Sequence, residues 1–387
     1  MKNFRIIFLL GLWGFLSTTS VLGQETGESI YKEGYEAYNN EDYITAVSYF
    51  MQAARKYDNA EAQAMLGFCY YKGQGIPQNH EKAVYWSRLA AEQGLDAAQY
   101  NLGVYYINAQ DYEEAVYWFR LAAEQGFERA QYDLGVYYNN VQDYEEAVYW
   151  YRLAAKQGNI KAQHSMGAYH SEGKGVRQNY DKAMEWFNKA AEKGYVMAQS
   201  NLGIAYYEGR GIPQNYEKAV YWLCLAAEQG VPEAQYVLGI CYNEGNGVSQ
   251  NYNKAVEWFR KAAEQGQPNA QNLLGVCYYD GNGISQNYTK AVEWYRKAAE
   301  QGQPNAQLAL GVCYSQGDGI SQNYEMAFYW IRLAAEKGLP DAQCILGFLY
   351  QNGEDVTKSD SETLKWMSKA AAQGHTLAQE WIEKNVY

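Results

Sequence analysis

The stretch Ala198-Gln199-Ser200-Asn201-Leu202-Gly203-Ile204-Ala205-Tyr206-Tyr207-Glu208-Gly209-Arg210-Gly211-Ile212-Pro213 decides the architecture, because its Ala-Gln pair and the Leu-Gly pair three residues later recur at a fixed period. Full units begin at Ala62, Ala98, Ala130, Ala162, Ala198, Ala234, Ala270, Ala306 and Ala342, and a partial one at Ala378, with steps of 36 residues except for two of 32. Self-similarity of this kind marks a repeat protein. Within the unit, Leu202, Ala205 and Tyr206 share one helical face, which makes the first half a helix, A. Gly209, Gly211 and Pro213 then break the pattern and mark a loop. Asn215 is placed to cap a second helix, B, whose inner face carries Ala219, Trp222, Leu223 and Ala226. Gly230 closes it, and Pro232 suits the first turn of the next helix A.

Recurrent small and aromatic residues suggest how the hairpins close. Gly203 and its equivalents Gly67, Gly103, Gly135, Gly167, Gly239, Gly275, Gly311 and Gly347 lie inside a helix. Glycine there costs up to about 1 kcal/mol relative to alanine, so a close helix approach is expected to offset it, with Ala219 and its equivalents facing the glycine. Trp86, Trp118, Trp150, Trp186, Trp222, Trp258, Trp294, Trp330 and Trp366 share one repeat position and are expected to be core knobs.

The pattern A-x-x-x-L-G-x-x-Y-x-x-G-x-G-[VI], then A-x-x-W and A-A-x-x-G, resembles the Sel-1-like repeat, a relative of the tetratricopeptide repeat. Ala234, Leu238, Gly239, Tyr242, Gly245, Gly247, Val248, Ala255, Trp258, Ala262, Ala263 and Gly266 match it position by position. The resemblance implies an all-α fold, an α-α superhelix or solenoid of antiparallel helix pairs. The division expected is a signal peptide at 1–23, a linker at 24–29, a divergent tetratricopeptide-like repeat at 30–61, nine repeats over 62–377 and a capping helix at 378–387. The nine repeats are 62–97, 98–129, 130–161, 162–197, 198–233, 234–269, 270–305, 306–341 and 342–377. The units at Ala98 and Ala130 have loops four residues shorter and read more like ordinary tetratricopeptide units. Asp355 stands where the last unit should carry its second loop glycine, as suits an irregular terminal cap.

Lys2 and Arg5 precede the apolar run Ile6 to Leu16, the layout of a secretory signal peptide whose apolar core is too short to favour a membrane span. An extracytoplasmic location, periplasmic or secreted, is therefore expected, with no membrane span after cleavage. The formal charge is −12 and would become −14 on loss of Lys2 and Arg5. Such a chain repels phosphate backbones, which argues against a nucleic-acid partner. Cys69, Cys241, Cys277 and Cys313 occupy one helix-A position in different repeats. Equivalent positions in stacked hairpins should lie beyond the ~4.4–6.8 Å Cα separation of a disulfide, so these read as buried small side chains. A Cys224–Cys241 bridge remains open. A cysteine-rich secreted branch of the resembled family pairs two cysteines per repeat and has been associated with penicillin binding, and this chain lacks that pairing.

Chemistry is scarce. His164 and His170 are six residues apart, not the i, i+4 spacing of a helical zinc pair, and His170 stands where Tyr206, Tyr242 and Tyr278 stand elsewhere. Ser29-Ile30-Tyr31-Lys32 has active-site spacing but lacks the companion elements of penicillin-recognising enzymes. The Gly-x-Gly loops, as at Gly245-Asn246-Gly247, lack the lysine of a phosphate loop. No catalytic residue, metal or cofactor is expected. What remains is surface. The inner groove of a tetratricopeptide-like stack corresponds to the third, seventh, tenth and eleventh residues of each unit, counting its first alanine as one. Tyr100, Tyr132, His164 and Tyr236 hold the third position, and Tyr71, Ile107, Tyr207 and Tyr279 the tenth, with Glu208, Glu244 and Asp280 at the eleventh. Tyrosines backed by acids suit recognition. Some related grooves clamp a C-terminal carboxylate with Lys and Asn, whereas Lys72 is the only basic eleventh residue here, so a neutral or basic protein or peptide partner is expected. The expected function is an exported, non-enzymatic scaffold, monomeric with oligomers left open. The competing readings are a β-lactam or cell-wall-peptide processing enzyme and a carbohydrate or peptidoglycan binder.

Overall fold

In the computed structural model, which describes residues 26–353 and 357–386, every regular element is an α-helix. The A helices are α1 (Gly27–Asn39), α3 (Ala60–Lys72), α5 (Asp96–Asn108), α7 (Glu128–Asn140), α9 (Ile160–Glu172), α11 (Val196–Glu208), α13 (Pro232–Glu244), α15 (Pro268–Asp280), α17 (Pro304–Gln316), α19 (Pro340–Asn352) and α21 (Thr376–Val386). The B helices between them are α2 (Tyr43–Tyr57), α4 (His80–Glu92), α6 (Tyr112–Glu124), α8 (Tyr144–Lys156), α10 (Tyr180–Glu192), α12 (Tyr216–Glu228), α14 (Tyr252–Glu264), α16 (Tyr288–Glu300), α18 (Tyr324–Glu336) and α20 (Asp360–Ala372). The segment read as a signal peptide and Asp355 lie outside the described residues. Residues 27–29, assigned above to a linker, already belong to α1, whose N-terminus is closed by a capping box between Thr26 and Ser29.

The chain forms two compact units, one ending at Tyr137 and one beginning at Tyr138, with α7 spanning the division. In the first, the hairpins α1–α2, α3–α4 and α5–α6 pack in sequence; in the second, α8 packs on α9 and the hairpins follow from α9–α10 to α19–α20, closed by α21. Each unit is thus a stack of antiparallel helix pairs, the solenoid arrangement expected of the sequence.

The caps follow the sequence. Asn215 accepts from Lys218 N at 2.9 Å, Pro232 opens α13, and Gly230 takes φ +92°. The short α5–α6 connection turns instead on Gln110, at φ +62°, with Asp111 capping α6. Gly247, at φ +72°, lies against the Tyr216 carbonyl of the preceding helix B, so the loop has no room for a side chain and locks one hairpin to the last.

Two packing expectations are corrected. The nearest neighbour of the helix-A glycine is the residue a turn after Ala219, although at Gly67 and Gly311 the carbonyl of the equivalent alanine, Ala83 or Ala327, also comes within 3.0 and 3.1 Å of an added Cβ. A Cβ at Gly203 would sit 2.8 Å from Leu223, and one at Gly239 would sit 2.5 Å from the Phe259 ring. The glycine is there to seat a large side chain, and Phe259 is 1% exposed. That residue, immediately after the tryptophan, is the core knob in every repeat but the one at Trp86, where it is Ser87. Trp118, Trp150 and Trp366 are buried, but the other six tryptophans are half-buried at the margin. There Lys189, Lys261 and Lys297 lie over the rings of Trp186, Trp258 and Trp294 at 4.0–4.4 Å.

The recurrent glutamine joins the modules. Gln199 Nε2 donates to Ala191 O at 3.3 Å, Gln235 to Ala227 O at 3.0 Å and Gln271 to Ala263 O at 3.1 Å, each supplying a donor to the carbonyl-rich end of the preceding helix B. The glutamine that ends the following helix B completes a relay: Gln229, Gln265 and Gln301 donate to Gln199, Gln235 and Gln271. At 193 and 337 lysine replaces that last glutamine and reaches Gly158 O and Gly302 O instead. The buried Oε1 atoms of Gln163 and Gln307 are then left without a hydrogen bond.

Candidate partner-binding face

Helix A buries its first, second, fifth and sixth positions, as Ala234, Gln235, Leu238 and Gly239 do in α13. The fourth and seventh, at i and i+3, are half-buried apart from the buried Val237, and the eleventh, at i+7, is exposed. Asn201, Ile204 and Glu208 form this stripe on α11, with the first two half-buried and the acid exposed; Leu273, Val276 and Asp280 repeat it on α15.

The residues singled out from the sequence flank this stripe. The third-position set is wedged between helices. Tyr100 packs its ring against Phe119 and Phe127, at 5.5 and 5.1 Å, and donates its hydroxyl to Asp133 Oδ2 at 3.0 Å. Burial first, and then the Asp133 charge, push that hydroxyl well above the usual tyrosine range. His164 sits by Phe187 and Tyr195 with its Nε2 3.1 Å from Asn201 Nδ2, and burial lowers its pKa. Tyr132 and Tyr236 are half-buried, Tyr236 beside Phe259.

The tenth-position set reaches into the next hairpin. Tyr71 stacks on Tyr105 at 4.3 Å and accepts from Asn108 Nδ2 at 2.7 Å. Tyr207 donates to Glu244 Oε2 at 3.3 Å and Tyr279 to Asp318 Oδ2 at 2.7 Å. Desolvation, reinforced by Glu244, raises the Tyr207 hydroxyl to about 12. Ile107 is half-buried. The structure brings together Tyr71, Tyr100, Ile107 and Tyr132 on helices of the first unit, and His164, Tyr207, Tyr236 and Tyr279 on helices of the second. Most of these polar tips already serve neighbouring repeats. Sequence reasoning missed the fourth position, for which the signal was its i, i+3, i+7 alignment with the seventh and eleventh.

Reactive groups are engaged elsewhere. Ser29 Oγ donates to Thr26 O at 2.9 Å, while Lys32 pairs with Glu28 at 2.6 Å. His375 Nε2 lies 3.2 Å from Asp341, and His170 is buried in the tyrosine position it replaces. Among the described residues, no group of three or more His, Cys, Asp or Glu is arranged to hold a metal ion, and no helix is long and apolar enough to cross a membrane. All six cysteines are free thiols, so Cys224 and Cys241 are not bridged.

The Sel1 repeat model matches residues 60–95, 96–127, 128–159, 160–195, 196–231, 232–267, 268–303, 304–339 and 340–375. Over 66 residues the chain is 39% identical to the putative sel1-like repeat-containing protein L21 of Acanthamoeba polyphaga mimivirus, a match covering 17% of this chain and only 12% of the viral protein. Among solved structures it is similar to c5321, a protective antigen present in uropathogenic Escherichia coli strains and displaying an SLR fold. That likeness has a TM-score of 0.70 and 32% identity and covers 92% of this chain and 88% of the other. A Sel1 repeat protein from Oxalobacter formigenes gives 0.62 and 34%, over 78% of this chain and 90% of that one.

Proposed function

The chain belongs to the Sel1 repeat family, whose members generally act as protein-interaction scaffolds, and from that premise we propose that it is an exported, non-enzymatic scaffold binding a protein or peptide across its A helices. Export rests on the signal-like Lys2–Leu16 segment. One observation carries the binding role. The fourth and eleventh positions, half-buried or exposed except for Val237, change chemistry between repeats around an always apolar seventh, while those beneath are nearly invariant. A surface that repeats its scaffold and varies its covering is suited to recognition. The test replaces the half-buried Ile204 and Val276 together by Glu and measures co-purification of the partner from the native source. Loss of the partner with helicity unchanged supports the role; full retention removes this face from it.

A further inference from the structure

Along the second unit the A helices change chemistry. Their fourth position is polar at Ser165 and Asn201, then apolar at Val237, Leu273, Ala309 and Ile345. The seventh, three residues on and one turn along, is Ile240, Val276, Val312 and Phe348. Apart from the buried Val237, these eight side chains are half-buried, so α13, α15, α17 and α19 together present an apolar floor.

The charge on these helices has one sign. From α11 to α19 the A helices contain no Lys or Arg at all, but they carry Glu208, Glu233, Glu244, Asp280 and Asp341, all exposed. The cations of these repeats lie on B helices, as Lys254, Lys261, Lys290 and Lys297 do, or in a loop, where Arg210 pairs with Glu208 at 2.8 Å. Glu244 and Asp280 hold the eleventh position of α13 and α15, and Asp318 lies in the loop two residues beyond α17. Tyr207 and Tyr279 hold the first and last of these in place from the preceding hairpin.

We infer that the α13–α19 floor receives an extended segment of a partner protein in which apolar side chains alternate with Lys or Arg; the inference rests on the scaffold reading above and names its partner's chemistry. Apolar contact supplies the seat, and the acids select the sign of charge.

The experiment titrates the full-length protein with three synthetic peptides. One repeats Lys-Val-Lys-Leu, one has Glu in place of Lys, and one has Ser in place of Val and Leu. The expected result is binding of the first alone, weakened roughly tenfold at low salt by Glu244→Gln, Asp280→Asn and Asp318→Asn together, with a shallower salt dependence. Circular dichroism checks that this triple variant, whose Glu244 and Asp318 also accept hydrogen bonds from Tyr207 and Tyr279, keeps its helicity. If the Glu peptide binds as well, or the triple variant binds unchanged, the inferred chemistry is wrong. If another peptide binds and Val276→Glu abolishes it, only the partner class falls and the scaffold reading stands. If no peptide binds and Ile204→Glu with Val276→Glu leaves the native partner attached, both fall.

Discussion

The hairpins α13–α14 and α17–α18 have the same helix lengths and the same loop length, yet they differ in how well their buried polar groups are satisfied. In the first, Gln235 gives its amide to Ala227 O and receives Gln265 at 2.8 Å, and Trp258 lies under Lys261 at 4.0 Å. In the second, Gln307 makes the same bond to Ala299 O, but its Oε1 has no partner because Lys337 has turned to Gly302 O. The indole nitrogen of Trp330 is also buried without an acceptor, and Leu333 stands where Lys261 stood. An unmet buried polar atom costs about 1–3 kcal/mol. The backbone is thus set by the repeat, while local stability is set by a few replaceable side chains.

Breaking the relay where it is complete should have the largest effect. Gln235→Leu is expected to destabilise α12–α14 by about 1–3 kcal/mol, since Ala227 O loses its side-chain donor and Gln265 keeps only its bond to Lys261 O. Gln307→Leu should cost clearly less, because it also removes an orphan acceptor. Amide hydrogen exchange on the flanking helices reads the difference, and equal losses would refute the contrast.

Repairing the weaker hairpin is the next test. Lys337→Gln should stabilise by about 0.5–1.5 kcal/mol by giving Gln307 its missing donor. A rise in the urea midpoint checks it; a fall would mean that the Gly302 contact matters more.

The smallest effect separates two buried thiols. Burial raises Cys241 to about 12 and Cys313 to about 11, above the ordinary value of 9.0. Because the folded form holds the proton more tightly, each contributes stability that is complete below about pH 9 and lost as pH rises toward those values. Cys313 should ionise first, which thiolate absorbance would show. Cys241→Ala should flatten the alkaline decline of stability more than Cys313→Ala does.

Much of this was legible in the sequence. The period, the Asn215 cap, Pro232 at a helix start and the loop glycines are local signals, and each is fixed by backbone conformation within a few residues. The sequence does not separate tryptophan from its neighbour as core knob, because Trp258 and Phe259 are adjacent apolar residues about 100° apart on one helix, and both lie within a turn of Ala255 and Ala262. Periodicity could not choose between them; the space above Gly239 does. The third and tenth positions follow from the inner groove of a tetratricopeptide-like stack. They lie next to the open stripe, but Tyr100 and Tyr279 turn into neighbouring repeats through Asp133 and Asp318, partners 33 and 39 residues away. Long-range partners of this kind leave no mark on local spacing. Gln235 recurs visibly, but its bond eight residues back to Ala227 joins two different hairpins.

The glutamine relay extends only from the end of one helix B to the end of the next. Wherever two complete copies meet, the junction has the same donors and acceptors, whichever two copies they are. An in-frame genetic loss or gain of 36 codons between α11 and α16 would therefore heal with its hydrogen bonds intact, and the array is open to change its length by unequal recombination without first losing its fold.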